Sequence, residues 1–339
     1  MSLDPARVVS QLRELQRLTG DESGAQRVAW TDTWNVARAW FAALLADLPL
    51  EVERDEAGND WWTLRGDSDR AVLIGGHIDS VPNGGWLDGS LNVVAAAEVL
   101  RRIAGAGTPP VTVRLVNWAD EEGARFGRSL FGSSAAAGSM ADQDELRLLT
   151  DRDGTLLPAA LAANGVDLDR AIEARGQLAS AAAYLELHIE QGPVLESLGL
   201  PLGAVLGTFG VERWRITWTG QAAHAGSTPM DRRRDALAGA AKLALEIRDI
   251  AARVGNGAVC TSGDVVCRPG IVTSVVETAE QLLDLRHLDA ASLAELLRQA
   301  REASDRFAAP ASASRRLSIG VEPAWAACPV HVMRQRSTP

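Results

Sequence analysis

The run Ala71-Val72-Leu73-Ile74-Gly75-Gly76 is apolar throughout, ends in glycine and is followed at once by His77. A continuous apolar run of this length reads as a strand buried on both faces, the kind found inside a parallel sheet. Leu91 to Ile103 carries helix spacing, and Val111 to Trp118 reads as a second strand. Strand, helix and strand in that order make a βαβ unit, so the chain needs a parallel sheet covered by helices. In such sheets ligands gather beyond the carboxyl ends of the strands, and the polar residues stand there. His77 and Asp79 follow the first strand, Asp88 precedes the helix, and Asp120-Glu121-Glu122-Gly123 closes the second strand. Later, Leu185, Leu187 and Ile189 alternate with Glu186, His188 and Glu190, which predicts a third strand with His188 near its end. Three strand ends thus bring two imidazoles and at least three carboxylates to one rim. Like charge crowded in this way is costly unless cations share the space.

The rest of the chain supports two domains. Helices are predicted near Val8–Leu18 and Thr33–Leu45, and short strands around Glu51–Arg54 and Trp61–Arg65. The texture changes near Leu206–Gly210. Beyond it the pattern predicts strand Val211–Thr219, helix Asp235–Val254, strands Ala258–Cys267 and Gln281–His287, helix Ser292–Phe307 and strand Arg315–Val321. That β-α-β-β-α-β order is a split-βαβ, ferredoxin-like unit. Arg232 to Arg234 read as a solvated turn at a helix start. With 34 Lys and Arg against 44 Asp and Glu, the net charge is −10, which argues against a nucleic-acid binder. No apolar run reaches the roughly 18 residues of a membrane span, so no membrane partner is expected. The N-terminus lacks the layout of a signal peptide. Three cysteines (Cys260, Cys267, Cys328) suit a reducing cytoplasm, the expected location.

Each spacing on the rim has a chemical use. In His77-x-Asp79 the carboxylate can accept the ring N–H that faces away from a metal. Asp88, with two oxygens, can bridge two cations about 3.5–4 Å apart. Glu121 and Glu122 point different ways, so one can bind metal while its neighbour acts as general base. Taken singly, Asp88 could instead cap the following helix, and Glu121-Glu122 could be an exposed turn.

The stretch His77-Ile78-Asp79-Ser80-Val81-Pro82-Asn83-Gly84-Gly85, with Asp88-Gly89, resembles the first metal motif of the hydantoinase/carbamoylase amidases. Asp120 to Gly127 is similar to the second motif, Glu186 to Pro193 to the third, and Gly220 to Met230 to the lid motif. The resemblance implies an α/β fold: a di-metal aminopeptidase-like catalytic domain with a mixed, mainly parallel sheet over 1–208, plus a ferredoxin-like lid and dimerisation domain over 209–323. It implies metal-dependent hydrolysis of the carbamoyl C–N bond of N-carbamoyl-L-amino acids or allantoate-like substrates. Neighbouring chemistry on the same scaffold would be that of a peptidase or an N-acyl amino-acid deacylase.

Residue by residue, the resemblance implies that His77, Asp88 and His188 bind one divalent ion, and that Asp88 bridges to a second held by Glu122. Zn²⁺ is the first expectation from the ligand types, with Mn²⁺, Co²⁺ or Ni²⁺ alternatives. Glu121 would be the general base and Asp79 the partner of His77. His224 would stabilise the oxyanion, Arg286 would hold the substrate carboxylate, and Gln191 and Thr273 would line the substrate site. Thr273 departs from the asparagine of allantoate-type relatives, so the substrate stays open. A homodimer through the lid is expected. The family chain returns from the lid to supply a last histidine to the second metal. This chain stops at Pro339 with an aberrant tail over 324–339, so truncation, a weakened second site and feeble or no turnover are expected. His331 reads as a tail residue rather than the replacement ligand.

Overall fold

The computed structural model describes residues 2–205, 207 and 209–308, together with the backbone of 315–320. They divide into two units, one running to Gly203 and the other beginning at Ala204. The tail from 321 on, with Cys328 and His331, lies outside the described residues.

The first unit opens with α1 (Pro5–Thr19) and α2 (Asp32–Leu44), each started by a side-chain cap from Asp4 and Thr31. There follow β1 (Glu51–Arg54), β2 (Asp60–Leu64), β3 (Ala71–His77), α3 (Ser90–Ala104), β4 (Thr112–Trp118), α4 (Phe131–Ala137), β5 (Ala181–Leu185) and α5 (Val194–Leu198). The sheet order is β1-β2-β4-β3-β5; β3 runs parallel to β4 and β5, while β1, β2 and β4 pair antiparallel. The sheet is therefore mixed, with its parallel part where the βαβ pattern predicts it. Strand alternation splits its side chains between two cores. Trp62, Leu64, Ile74, Val113 and Leu115 pack with Leu12, Leu15, Phe41, Val93 and Leu100 of α1 to α3. Trp61, Ala71, Leu73, Val116 and Trp118 form the other face with Ala136 of α4. Covered on both faces, β4 is buried along its whole length, Arg114 and Asn117 included.

One element differs from the sequence expectation. The third strand is Ala181–Leu185, not Leu185–Ile189. Its pairing with β3 ends at Ile74↔Leu185. Beyond that point the chain turns off, because Glu186 is drawn to Asn92 Nδ2 at 2.8 Å and to the Tyr184 hydroxyl at 2.6 Å. His188 therefore stands on a loop.

The second unit holds β6 (Gly210–Thr219), β7 (Ala223–His224), α6 (Ala236–Val254), β8 (Val259–Arg268), β9 (Ser274–Val275), β10 (Thr278–His287), α7 (Ala290–Ala308) and β11 (Arg315–Gly320). Its main sheet is antiparallel, in the order β8-β10-β6-β11, and β7 pairs with β9 in a separate ribbon. Trp214, Ile216, Trp218, Leu283 and Leu285 pack on Leu243, Ile247, Ile250, Leu296 and Ala300 of α6 and α7. Buried Gln281 satisfies its amide within this core: Oε1 accepts from Trp218 Nε1, and Nε2 donates to Ala240 O, each at 3.0 Å. No helix among the described residues is long and apolar enough to cross a membrane.

Candidate metal centre

Register decides what meets at the rim. His77 stands level with Trp118 in the β3–β4 pair, so the segment Asp120–Glu122 emerges beside Asp79. On the other side the ladder ends where Leu185 stands level with Ile74, and the loop that follows carries His188 to His77 and Asp88. The helix α3 starts directly under this rim. Its N-cap is Gly89, whose φ of 63° and closeness to His77 exclude a side chain: a Cβ there would sit 2.4 Å from the imidazole. Among the described residues Asp88 makes no cap bond to the helix interior, which removes the reading of Asp88 as an N-cap; its Oδ1 accepts the neighbouring Gly89 N–H at 3.1 Å.

Ligand atoms of His77, Asp88 and His188 all lie within 4.8 Å of one another. His188 Nε2 is 3.5 Å from Asp88 Oδ1. Atoms about 2.1 Å from one tetrahedral ion stand roughly 3.4 Å apart, so this donor set of two imidazoles and a carboxylate fits a divalent cation. His77 is buried and aimed by its other nitrogen, Nδ1, which lies 3.1 Å from Asp79 O and 3.5 Å from Asp79 Oδ1. The backbone carbonyl is thus the nearer partner, a detail the spacing His-x-Asp did not disclose. His188 Nδ1 is likewise 2.6 Å from Ile189 O. Each ring leaves Nε2 for the cluster.

The carboxylates crowd as the sequence requires. Glu121 Oε2 lies 3.6 Å from His77 Nε2. Burial pushes Glu121 up to about 7, and the charges of Asp79 and Glu122 add to this against the opposing pull of His77. Burial, aided by Asp88 and Asp79, also raises Glu122. Burial and the charge of Asp79 raise Asp120. Burial opposes a charge on His77, but Asp79, Glu121 and Glu122 outweigh it and push the imidazole up to about 10. Such a site favours added positive charge.

Further contacts hold this site, and two of the residues that make them, Trp30 and Asn59, gave no signal of their own in the sequence. Asp79 accepts the backbone N–H of Glu121 at 3.3 Å and of Glu122 at 3.1 Å. Trp30 Nε1 donates to Asp120 Oδ2 at 2.7 Å. Buried Asn59 accepts Ala119 N–H at 2.9 Å and donates to Gly132 O at 3.1 Å, pinning both ends of the loop that carries the glutamates. Glu186 and Glu190 anchor the loop of His188 on either side, the latter by accepting Val194 and Leu195 N–H at 2.8 Å. Gln191, expected along the substrate site, donates to Asp88 Oδ2.

In the second unit, His224 pairs through its backbone with Ser274, and Thr273 O accepts Ala225 N–H at 2.9 Å. Two residues picked separately from the sequence are therefore neighbours. Arg286 forks onto Asp284 of the same strand at 2.6 and 3.1 Å. His287 is buried and its Nδ1 accepts Asp289 N–H at 2.8 Å, a packing and capping role. Cys260 and Cys267 are free, half-buried thiols. Arg233 does not fit the expected solvated turn: it is half-buried and donates to two loop carbonyls, while Arg232 and Arg234 are exposed.

A mixed sheet whose strand ends carry a His-Asp-His cluster defines a metallohydrolase class, and the sequence profile of peptidase family M20/M25/M40 matches residues 73–325. The chain belongs to that family. Among its relatives, the N-carbamoyl-L-amino acid amidohydrolase of Geobacillus stearothermophilus is 39% identical over 290 residues, covering 84% of this chain and 70% of the relative. The allantoate amidohydrolase of Escherichia coli strain K12 is 36% identical over 279 residues, covering 81% and 67%. The crystal structure of a hydantoinase/carbamoylase family amidase from Burkholderia vietnamiensis superposes with a TM-score of 0.83 at 30% identity, covering 94% of this chain and 77% of that one.

Proposed function

We propose that the chain is a metal-dependent amidohydrolase that cleaves the carbamoyl C–N bond of N-carbamoyl-L-amino acids or allantoate-like ureido compounds. The observation that carries this reading is the convergence of His77, Asp88 and His188 within 4.8 Å beside Glu121. The names of the relatives supply the substrate class. His77, Asp88 and His188 would hold one divalent ion, Zn²⁺ before Mn²⁺, Co²⁺ or Ni²⁺, and Asp88 with Glu122 would reach a second. Bound there, such ions polarise a carbonyl and acidify water. Glu121, poised near 7 by burial, takes the proton of the attacking water and hands it to the leaving nitrogen. Asp79 keeps His77 and the glutamate loop in place. His224 donates to the developing oxyanion, Arg286 grips the substrate carboxylate as a two-pronged donor, and Gln191 and Thr273 contact the substrate. The second unit acts as a lid and joins two copies into a homodimer, and the enzyme works in the cytoplasm.

The test is ammonia or amino acid released from N-carbamoyl-L-amino acids, allantoate, dipeptides and N-acetyl amino acids, with and without added Zn²⁺ or Mn²⁺. The ranking decides, whatever the absolute rate. Metal-stimulated release from the ureido substrates is expected. Release confined to dipeptides or N-acetyl amino acids would move the chain to the peptidases or deacylases.

A further inference from the structure

The loop that carries His224 closes on itself. Ser227 and Thr228 N–H fold back onto the His224 carbonyl at 3.4 and 3.1 Å, and Ala225 N–H is held by Thr273 O. The Arg233 guanidinium seals the turn: Nε donates to Thr228 O at 3.1 Å and a terminal nitrogen to Ala225 O at 2.6 Å. Inside the turn, Gly226 N–H donates to His224 Nδ1 at 3.1 Å. A Cβ on residue 226 would stand 3.2 Å from the ring carbon Cε1, tighter than ordinary contact, so glycine lets the ring lie against the backbone. A ring nitrogen that accepts an N–H presents its lone pair, and in neutral imidazole the proton then sits on the other nitrogen.

We propose that Arg233 is a positioning residue for His224: by closing the 225–228 turn it holds Gly226 N–H against Nδ1 and fixes the imidazole as the tautomer that offers Nε2–H. The functional meaning rests on His224 as the oxyanion donor proposed above, since such a donor works by being protonated and aimed before charge develops. Helix α6 does not use His224 as a cap, because Asp235 fills that place by accepting Leu237 and Ala238 N–H at 3.0 and 3.4 Å.

The experiment uses the full chain with ¹⁵N-labelled histidine rings. Long-range ¹H–¹⁵N correlation at a pH where the ring is neutral should show His224 with Nδ1 bare and Nε2 protonated. Exchange of the Gly226 amide should be slow. In Arg233→Met the amide should exchange at least ten-fold faster and the ring should sample both tautomers. Turnover should lose roughly 10-fold or more in kcat with KM little changed, a fraction of what an oxyanion donor supplies. Arg233→Lys, which restores one donor, should recover part of each. A protonated Nδ1 in the native chain would overturn the proposal, without need of any variant. So would an Arg233→Met chain with native exchange, tautomer and kcat. If the native ring pattern and its loss in Arg233→Met are found, yet His224→Ala leaves kcat unchanged, the positioning inference stands and the oxyanion reading falls.

Discussion

Asp79 is fully buried, yet it ties three residues of the proposed site together. Its carboxylate receives the N–H groups of Glu121 and Glu122 and lies beside His77 Nδ1. Asp79→Ala should therefore weaken divalent-ion binding by roughly 10–100-fold, the usual loss when a ligand's supporting partner goes. His188→Ala should abolish tight binding outright, and competition with a chelator separates the two. Glu121→Gln should keep the ion but lower kcat by roughly 10²–10⁴, as expected for loss of a general base. The pH response follows from groups whose folded values are raised: Glu121 to about 7 and His77 to about 10. Each binds a proton in the folded chain after the unfolded chain has released it, so stability falls as pH rises. For Glu121 the loss runs from about 4.5 to 7, for His77 from about 6.5 to 10. A chelator-treated chain should thus melt at lower temperature at pH 8 than at pH 6, and added Zn²⁺ or Mn²⁺ should raise Tm more at pH 8, where fewer protons compete with it. At this scale the sequence exposed the charged residues through their placement after apolar runs. It could not expose Asn59 or Trp30, whose contacts with residues 119 and 120 exist only once the sheet has formed.

Among the elements, β3 was legible because burial on both faces favours an unbroken apolar run, and glycine marks where it gives way to the site; β4 is as fully buried but carries Arg114 and Asn117. The third parallel strand was misplaced for a physical reason. Alternation records which side chains could face inward, not where a hydrogen-bonding neighbour ends, and here Glu186 leaves the ladder for Asn92 and Tyr184. The two-residue ribbon of β7 and β9 is too short for any period, though it sets the place of His224. The loop after β4 depends on Asn59, which also receives the support of Asp55 through Asn59 N and Nδ2, both at 2.9 Å. Asn59→Ala takes their partner from the Ala119 N–H and the Gly132 carbonyl in a buried place, while Asp55 keeps Trp61 Nε1 and the backbone N–H groups of residues 57 and 59. It should cost about 2–4 kcal/mol in urea unfolding, since each stranded buried group costs about 1–3 kcal/mol.

The molecule as a whole has separate cores, with Trp62 and Leu115 in the first unit and Trp214 and Leu243 in the second. The strand and helix order changes near residue 206, and each unit's strands pair in sheets of their own. Since the His-Asp-His cluster belongs wholly to the first unit, calorimetry should show that a divalent ion raises the unfolding transition of that unit and leaves the other where it was. A uniform shift of both would mean that the units unfold together. The late arrival of the β5 strand, which leads into the His188 loop, also has a meaning in time. A ribosome releases the acidic motifs first and the strand that brings His188 much later, and parallel pairing across such a span is slow to close. Until β5 docks, a growing chain carries an acid cluster with one imidazole and no complete claw, so an ion taken up by the proposed site would come as the closing event of this unit's folding rather than its seed.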